Sequence, residues 1–215
     1  MQNYQLMRLC FLMCLLLIFS CKGNLETIET KDEDGYLTKY SRKKADYAKQ
    51  GLYTKHYPSG TLYEEANYVN DTLHGERKLY YDNGTLEILE TYDHGNFVSP
   101  YNRYFEDGQV QLEGFYENNK AVGVWTRYYK NGKIKDSVTL FDNDENGPFT
   151  EYYENGNIKA EGTYNGTDPD TGYPREHGLL KMYNESGELI KKMDCNLGRC
   201  KTIWTKDGGD GSPKN

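Results

Sequence analysis

Tyr80-Tyr81-Asp82-Asn83-Gly84 returns along this chain as Tyr104-Phe105-Glu106-Asp107-Gly108, Tyr128-Tyr129-Lys130-Asn131-Gly132 and Tyr152-Tyr153-Glu154-Asn155-Gly156, with a looser first copy at His56-Tyr57-Pro58-Ser59-Gly60. Glycines 60, 84, 108, 132 and 156 each stand 24 residues apart, and a sixth copy, Tyr183 to Gly187, follows after 31. One unit therefore carries seven extra residues. A fixed period in this range marks an array of like supersecondary units, each of which needs its neighbours to bury its apolar face.

Each copy holds Asn-Gly, Asp-Gly or a close substitute between flanks rich in Tyr, Val, Ile and Thr, which predicts a β-hairpin with a two-residue type I′ turn. On that register Tyr81 faces Leu86, Phe105 faces Val110, Tyr129 faces Ile134 and Tyr153 faces Ile158, each an aromatic beside an aliphatic. Further from the turn on the same face, Tyr53 falls opposite Ala66, Tyr101 opposite Gly114, Trp125 opposite Val138 and Phe149 opposite Gly162, rings that cover small residues. Polar partners agree: Arg127 meets Asp136, and Lys55 meets Glu64.

The opposite face pairs Tyr80 with Glu87, Tyr104 with Gln111, Tyr128 with Lys135 and Tyr152 with Lys159, a polar surface with one tyrosine per hairpin. Turns such as Asn70 to Gly75 and Asn143 to Gly147 join the hairpins into a meander, so this outer row repeats about every 9 to 10 Å. Tyr80, Tyr104, Tyr128 and Tyr152, with Lys135 and Lys159 beside them, form the candidate binding face. Regular rings on a wet sheet can stack on sugars or grip an extended partner.

The pattern Gly-x-aromatic-x-x-Tyr-Tyr-x-Asn-Gly-x-Ile-x-x-Glu-Gly-x-Tyr, seen best from Gly147 to Tyr164, resembles the MORN repeat, in the bacterial variant found in proteins labelled YwqK-type antitoxins. The resemblance covers roughly residues 51 to 195. It implies an all-β fold, an elongated, twisted antiparallel meander of about six stacked hairpins, and the role of scaffold or interaction surface.

The ends place the array. Arg8 and the eleven apolar residues Leu9 to Phe19 suit a secretory signal and are too short to span a bilayer. Ile18-Phe19-Ser20-Cys21 resembles the lipobox of bacterial lipoproteins, with Cys21 as the acylated residue, although Phe19 is bulky for its place; an ordinary signal peptide with an incidental cysteine is the plainer alternative. Lys22 after the cysteine suits the outer membrane of a Gram-negative cell. The division expected is a signal over 1–20, a flexible tether over 21–35, a repeat domain with divergent ends over 36–205 and a disordered tail over 206–215. Once the signal leaves, Cys195 and Cys200 remain as a pair across a loop containing Gly198, a disulfide in an oxidising compartment or else two free thiols.

Chemistry is scarce. The formal net charge is −7, and −8 without the signal, which disfavours a general nucleic-acid binder. His56, His74, His94 and His177 lie in or beside turns or at unit edges, with no nucleophile near them in the sequence, so no catalytic site, metal or cofactor is expected. Asp142 to Gly147 matches the first half of a calcium loop, but Tyr153 stands where the chelating Glu belongs, and the segment reads as a turn. The insertion within Thr167 to Glu176 is a surface loop of the kind that carries function on rigid scaffolds. The partner expected is a protein, with polysaccharide second. A toxin-neutralising factor or a bare spacer are the alternatives.

Overall fold

A computed structural model describes residues 24–208, and the stretch read as a signal, Cys21 and residues 209–215 lie outside the described residues. Sixteen strands follow one another: β1 (Leu25–Lys31), β2 (Leu37–Lys43), β3 (Lys49–His56), β4 (Leu62–Val69), β5 (Thr72–Tyr80), β6 (Leu86–Asp93), β7 (Asn96–Tyr104), β8 (Val110–Glu117), β9 (Lys120–Tyr128), β10 (Ile134–Phe141), β11 (Asp144–Tyr152), β12 (Ile158–Thr167), β13 (Pro174–Glu176), β14 (Gly178–Tyr183), β15 (Leu189–Asn196) and β16 (Arg199–Thr205). They form one open antiparallel sheet in chain order, except that β13 pairs beside β12 and the path continues from β12 to β14. The fold is all-β, a meander of stacked hairpins.

The hairpin turn is not the two-residue turn expected. Tyr81 N–H donates to the Thr85 carbonyl and Gly84 N–H to the Tyr81 carbonyl, so Asp82, Asn83 and Gly84 form a three-residue loop. Only Gly84 has positive φ, at 84°, the left-handed place that such a loop reserves for glycine. Tyr80 therefore pairs with Leu86, Tyr104 with Val110, Tyr128 with Ile134 and Tyr152 with Ile158, the reverse of the assignment to Glu87, Gln111, Lys135 and Lys159. A bulge then leaves those four polar residues unpaired and restores the expected register, so that Tyr53 meets Ala66, Tyr101 Gly114, Trp125 Val138 and Phe149 Gly162. The type I′ turns lie at the other end of each strand. Asn70-Asp71, His94-Gly95, Asn118-Asn119 and Asp142-Asn143 all have positive φ at both residues.

The same three-residue loop closes β1 onto β2, where Asp32 N–H donates to the Tyr36 carbonyl and Gly35 N–H to the Asp32 carbonyl. The segment read as a tether is thus an ordered strand over Leu25–Lys31. A terminal strand of a single-layer sheet needs little apolar burial of its own. Backbone pairing, Arg42 on Glu26 at 2.7 Å and Ile28 opposite Tyr40 are enough to seat it. At the far end Cys195 lies directly across from Cys200 on β16, with the sulfurs bonded at 2.06 Å.

With one layer, the core is a face rather than an interior. Trp125 and Phe149 are 8% and 6% exposed, Ala66 1%, and the strand-end tyrosines roof the rings beside them. Tyr116 meets Trp125 edge-on with centroids 5.1 Å apart, and Tyr164 stacks on Phe149 at 4.1 Å. In the second complete unit, Arg77 occupies the ring position and Glu90 the small one. Arg77 bridges Glu64 at 2.7 Å and Glu90 at 2.8 Å, and Tyr92 donates to Glu90, so an ion triad closes a gap where packing alone would leave a void.

Candidate functional site

The inner tyrosine of each turn does more than pair with an aliphatic. Tyr57 hydroxyl donates to the Tyr80 carbonyl at 2.8 Å, Tyr81 to Tyr104 at 2.9 Å, Tyr129 to Tyr152 at 2.8 Å and Tyr153 to Tyr183 at 2.9 Å. Each unit that carries a tyrosine there is thereby stapled to the next. The signal for this was present in the sequence, since a hydroxyl retained at 57, 81, 129 and 153 on the apolar face must find an acceptor. Phe105 breaks the ladder at the Tyr128 carbonyl. Tyr129→Phe is expected to cost about 1 kcal/mol and Phe105→Tyr to return a similar amount, read as opposite shifts in denaturant midpoint.

At that break lies a cavity of about 370 Å³, lined by Arg103, Phe105, Gln111, Leu112, Arg127, Tyr128, Tyr129, Lys130 and Lys135. Four cations line it and no carboxylate does. Arg103 reaches back to Glu87 at 2.9 Å and Arg127 to Asp136 at 2.7 Å, while Lys130 sits 5.9 Å over the Phe105 ring. Lys130 and Lys135 have no ion pair among the described residues. Arg103 Nε and Gln111 Oε1 are buried without a hydrogen-bond partner, one a donor and the other an acceptor. The bulges explain the convergence: Gln111 and Lys135 are the unpaired residues of consecutive units, and both turn into this one space.

Of the residues expected on the wet face, the cavity gathers Gln111, Tyr128 and Lys135, the last two from the candidate binding face. Tyr128 donates its hydroxyl to Glu113, a bond that, with burial added, pushes its pKa up to about 12. Tyr80 is raised by burial beside Glu65. Tyr104 and Tyr152 keep their places in the row, and their carbonyls serve the ladder. Lys159 is taken by Glu151 at 2.9 Å. The proposed partnership of Tyr128 with Lys135 and Tyr152 with Lys159 across the strands is replaced by Tyr128 with Ile134 and Tyr152 with Ile158.

The insertion forms a self-contained loop in which the Asp168 carboxylate accepts from Asp170 N–H, Thr171 N–H and the Thr171 hydroxyl, bonds that hold it below the usual carboxylate range. Arg175 on the returning strand β13 carries an unpartnered buried Nε. Asp142 and Asn143 make the I′ turn itself, and Asp144 to Gly147 belong to β11, so the half calcium loop is strand rather than a ligand ring.

With this geometry, the comparison with known families is direct. The sequence model of the MORN repeat variant matches residues 49–70, 73–94, 100–118, 121–143 and 145–165. Five of the hairpin units are MORN repeats. The matches run from β3 to β12 and leave out the hairpins β1–β2 and β14–β15, which make the same turn with Gly35 and Gly187. No curated protein matches the chain. MORN repeats serve binding or structural roles, and the five in this chain enclose the ladder break and its cationic cavity.

Proposed function

We propose that this chain is a non-catalytic binding module, held at a bacterial envelope membrane by acyl chains on Cys21, which grips an acidic, extended segment of a protein partner at the Phe105 cavity. The observation that carries this reading is the lining itself. Lys130 and Lys135, with no ion pair among the described residues, stand beside Arg103 and Arg127, which are bridged to Glu87 and Asp136, and with no lining carboxylate they gather positive potential at one point of a chain of net charge −7. Arg103 Nε asks for an acceptor and Gln111 Oε1 for a donor, and a peptide bearing a carboxylate side chain offers both. Phe105 supplies an apolar floor for the stem of that side chain. Acyl chains on Cys21 would hold the module at the membrane, and Lys22 after it suits the outer membrane if the cell is Gram-negative.

A photo-crosslinking residue at Lys135, compared with one at Lys201 on β16, tests the reading in cells. Adducts are expected from position 135 alone, and their yield should fall at least about tenfold when Lys130 is changed to Glu, since reversing one charge beside a desolvated carboxylate costs more than 1.4 kcal/mol. Equal or absent adducts at both positions, or a yield untouched by Lys130→Glu, overturns the binding site. Cys21→Ser in the same strain is expected to release the protein from the membrane fraction; unchanged fractionation and mobility overturns the anchor and leaves the cavity result intact. One adduct of fixed stoichiometry supports a module dedicated to one partner, as a toxin-neutralising protein is.

A further inference from the structure

Two of the four histidines converge. His74, on β5, lies opposite Asp93 at the end of β6, one step beyond the paired Gly75 and Tyr92, and His94 follows in the I′ turn with φ 48°. Gly95 N–H donates to the Leu73 carbonyl at 2.9 Å, which pins that turn against β5. The Asp93 carboxylate oxygen stands 3.5 Å from His74 Nδ1 and 2.6 Å from His94 Nδ1, and the two imidazole centroids are 5.1 Å apart. One ligand atom from each of the three residues lies within 4.8 Å of the others.

The repeat supplies its own control. At the place of His74 the neighbouring units carry Gln50, Val98, Val122 and Asn146; at the place of Asp93, Val69, Glu117 and Phe141; at the place of His94, Asn70, Asn118 and Asp142. Both histidine positions depart from their counterparts in the matched units, while the carboxylate at 93 has a like residue only in Glu117. His177 repeats the His74 position, but the register sets it against Asn196 and Leu197 rather than an Asp-His pair. A strand or turn requirement common to all units does not account for the triplet.

We infer that His74, Asp93 and His94 form a binding site for a divalent transition-metal ion of the zinc type. Two imidazoles and a carboxylate suit that borderline class, whereas a hard ion such as Mg²⁺ or Ca²⁺ takes oxygen ligands. Ligand atoms on a tetrahedral zinc with bonds of about 2.0–2.1 Å are separated by roughly 3.3 Å. The His74 to Asp93 distance already fits, His94 has to move away from Asp93 by less than an ångström, and the two imidazole ligand atoms, which lie within 4.8 Å of each other, have to settle at the same spacing. The side chains can make that move, being 45%, 61% and 82% exposed for His74, Asp93 and His94. Solvent fills the remaining coordination positions, so the ion stays open to a further ligand. Metal bound here clamps the β6–β7 turn to β5.

The test titrates Zn²⁺ into the whole chain, purified in detergent without a histidine tag, against a chromophoric chelator. It is repeated on His74→Gln and His94→Asn, which install residues that other units already use. One Zn²⁺ per chain is expected, with affinity lowered at least about tenfold by either change and a zinc-dependent rise in Tm that both variants lose. Without zinc the variants should melt with the parent, which separates lost ligation from lost folding. Substitution of Cu²⁺ should give an electron paramagnetic resonance signal split by two nitrogens. No saturable zinc binding, binding equal in the parent and both variants, or a copper signal without nitrogen splitting overturns the site.

Discussion

Replacing Gly114 by alanine is expected to destabilise the middle of the sheet by about 2–3 kcal/mol, the range for forcing an extra methyl into a packed core. An added Cβ would drive into the six-membered ring of Trp125, with three ring atoms well inside contact distance. That ring comes from β9, on the far side of β8 from Tyr101, which is the direct cross-strand partner of Gly114. Trp125 is 8% exposed and is enclosed by Tyr101 at 5.7 Å and Tyr116 at 5.1 Å, so it has nowhere to retreat without breaking both contacts. Two other glycines calibrate the effect. At Gly162 the nearest atom to an added Cβ is Phe149 Cε1 at 2.9 Å, and the cost should be about 1 kcal/mol, at the low end of the overpacking range. At Gly51 nothing stands within 4 Å, and only the positive φ of 82° is strained, also at about 1 kcal/mol. Denaturant unfolding followed by tryptophan fluorescence gives the ranking, and hydrogen exchange should place the loss in β7 to β10. Gly114→Ala costing no more than Gly51→Ala would falsify the packing described for Trp125.

This comparison also shows what could be read in advance. The pairing of Tyr101 with Gly114 followed from counting outward from the turn, and it holds. The ring that makes Gly114 irreplaceable is Trp125, a neighbour across the other edge of β8, and intra-hairpin counting has no access to it. The turn itself was misread for a physical reason: Gly after Asn or Asp suits both a two-residue I′ turn and a three-residue loop whose last residue is left-handed. Three of the four I′ turns, Asn70-Asp71, Asn118-Asn119 and Asp142-Asn143, lack glycine and rely on the tolerance of Asn and Asp for positive φ, and only His94-Gly95 carries one. Because a compensating bulge follows the loop, the error was confined to one or two residues per hairpin. Gln111 and Lys135 are two of the four residues so displaced, and both turn into the cavity. The His74, Asp93 and His94 triplet was hidden differently, since residues 19 and 20 apart meet only when the β5–β6 register carries one end of a hairpin back to the other.

Alkaline pH should unfold this protein more readily than its net charge suggests, because its core face is made of phenols. Burial raises the pKa of Tyr53, Tyr68, Tyr92, Tyr101, Tyr116 and Tyr164 above the ordinary value of 10, in each case as the largest cause. A folded-state pKa above the unfolded one means that the contribution to stability is fully present below about pH 10 and is lost as pH rises through the folded values. Lysines held by carboxylates, such as Lys159 by Glu151 and Lys181 by Glu161, are also raised and push in the same direction. Tyr164 separates the two contributions. It stacks on Phe149 with an interplanar angle of 14°, and among the described residues its hydroxyl makes no hydrogen bond to another side chain, so phenylalanine fits its place. Near Glu145, Glu151 and Glu176 a phenolate there is opposed by charge as well as by burial. Melting at about pH 8 and about pH 11 should therefore show a fall in Tm of roughly 5–10 °C for the parent, at 2–4 °C per kcal/mol for a chain of this size. Tyr164→Phe should melt close to the parent at the lower pH and above it at the higher. If the gap between the two does not widen with pH, Tyr164 is not held neutral by its surroundings, and the alkaline loss belongs to the other phenols and the lysine pairs.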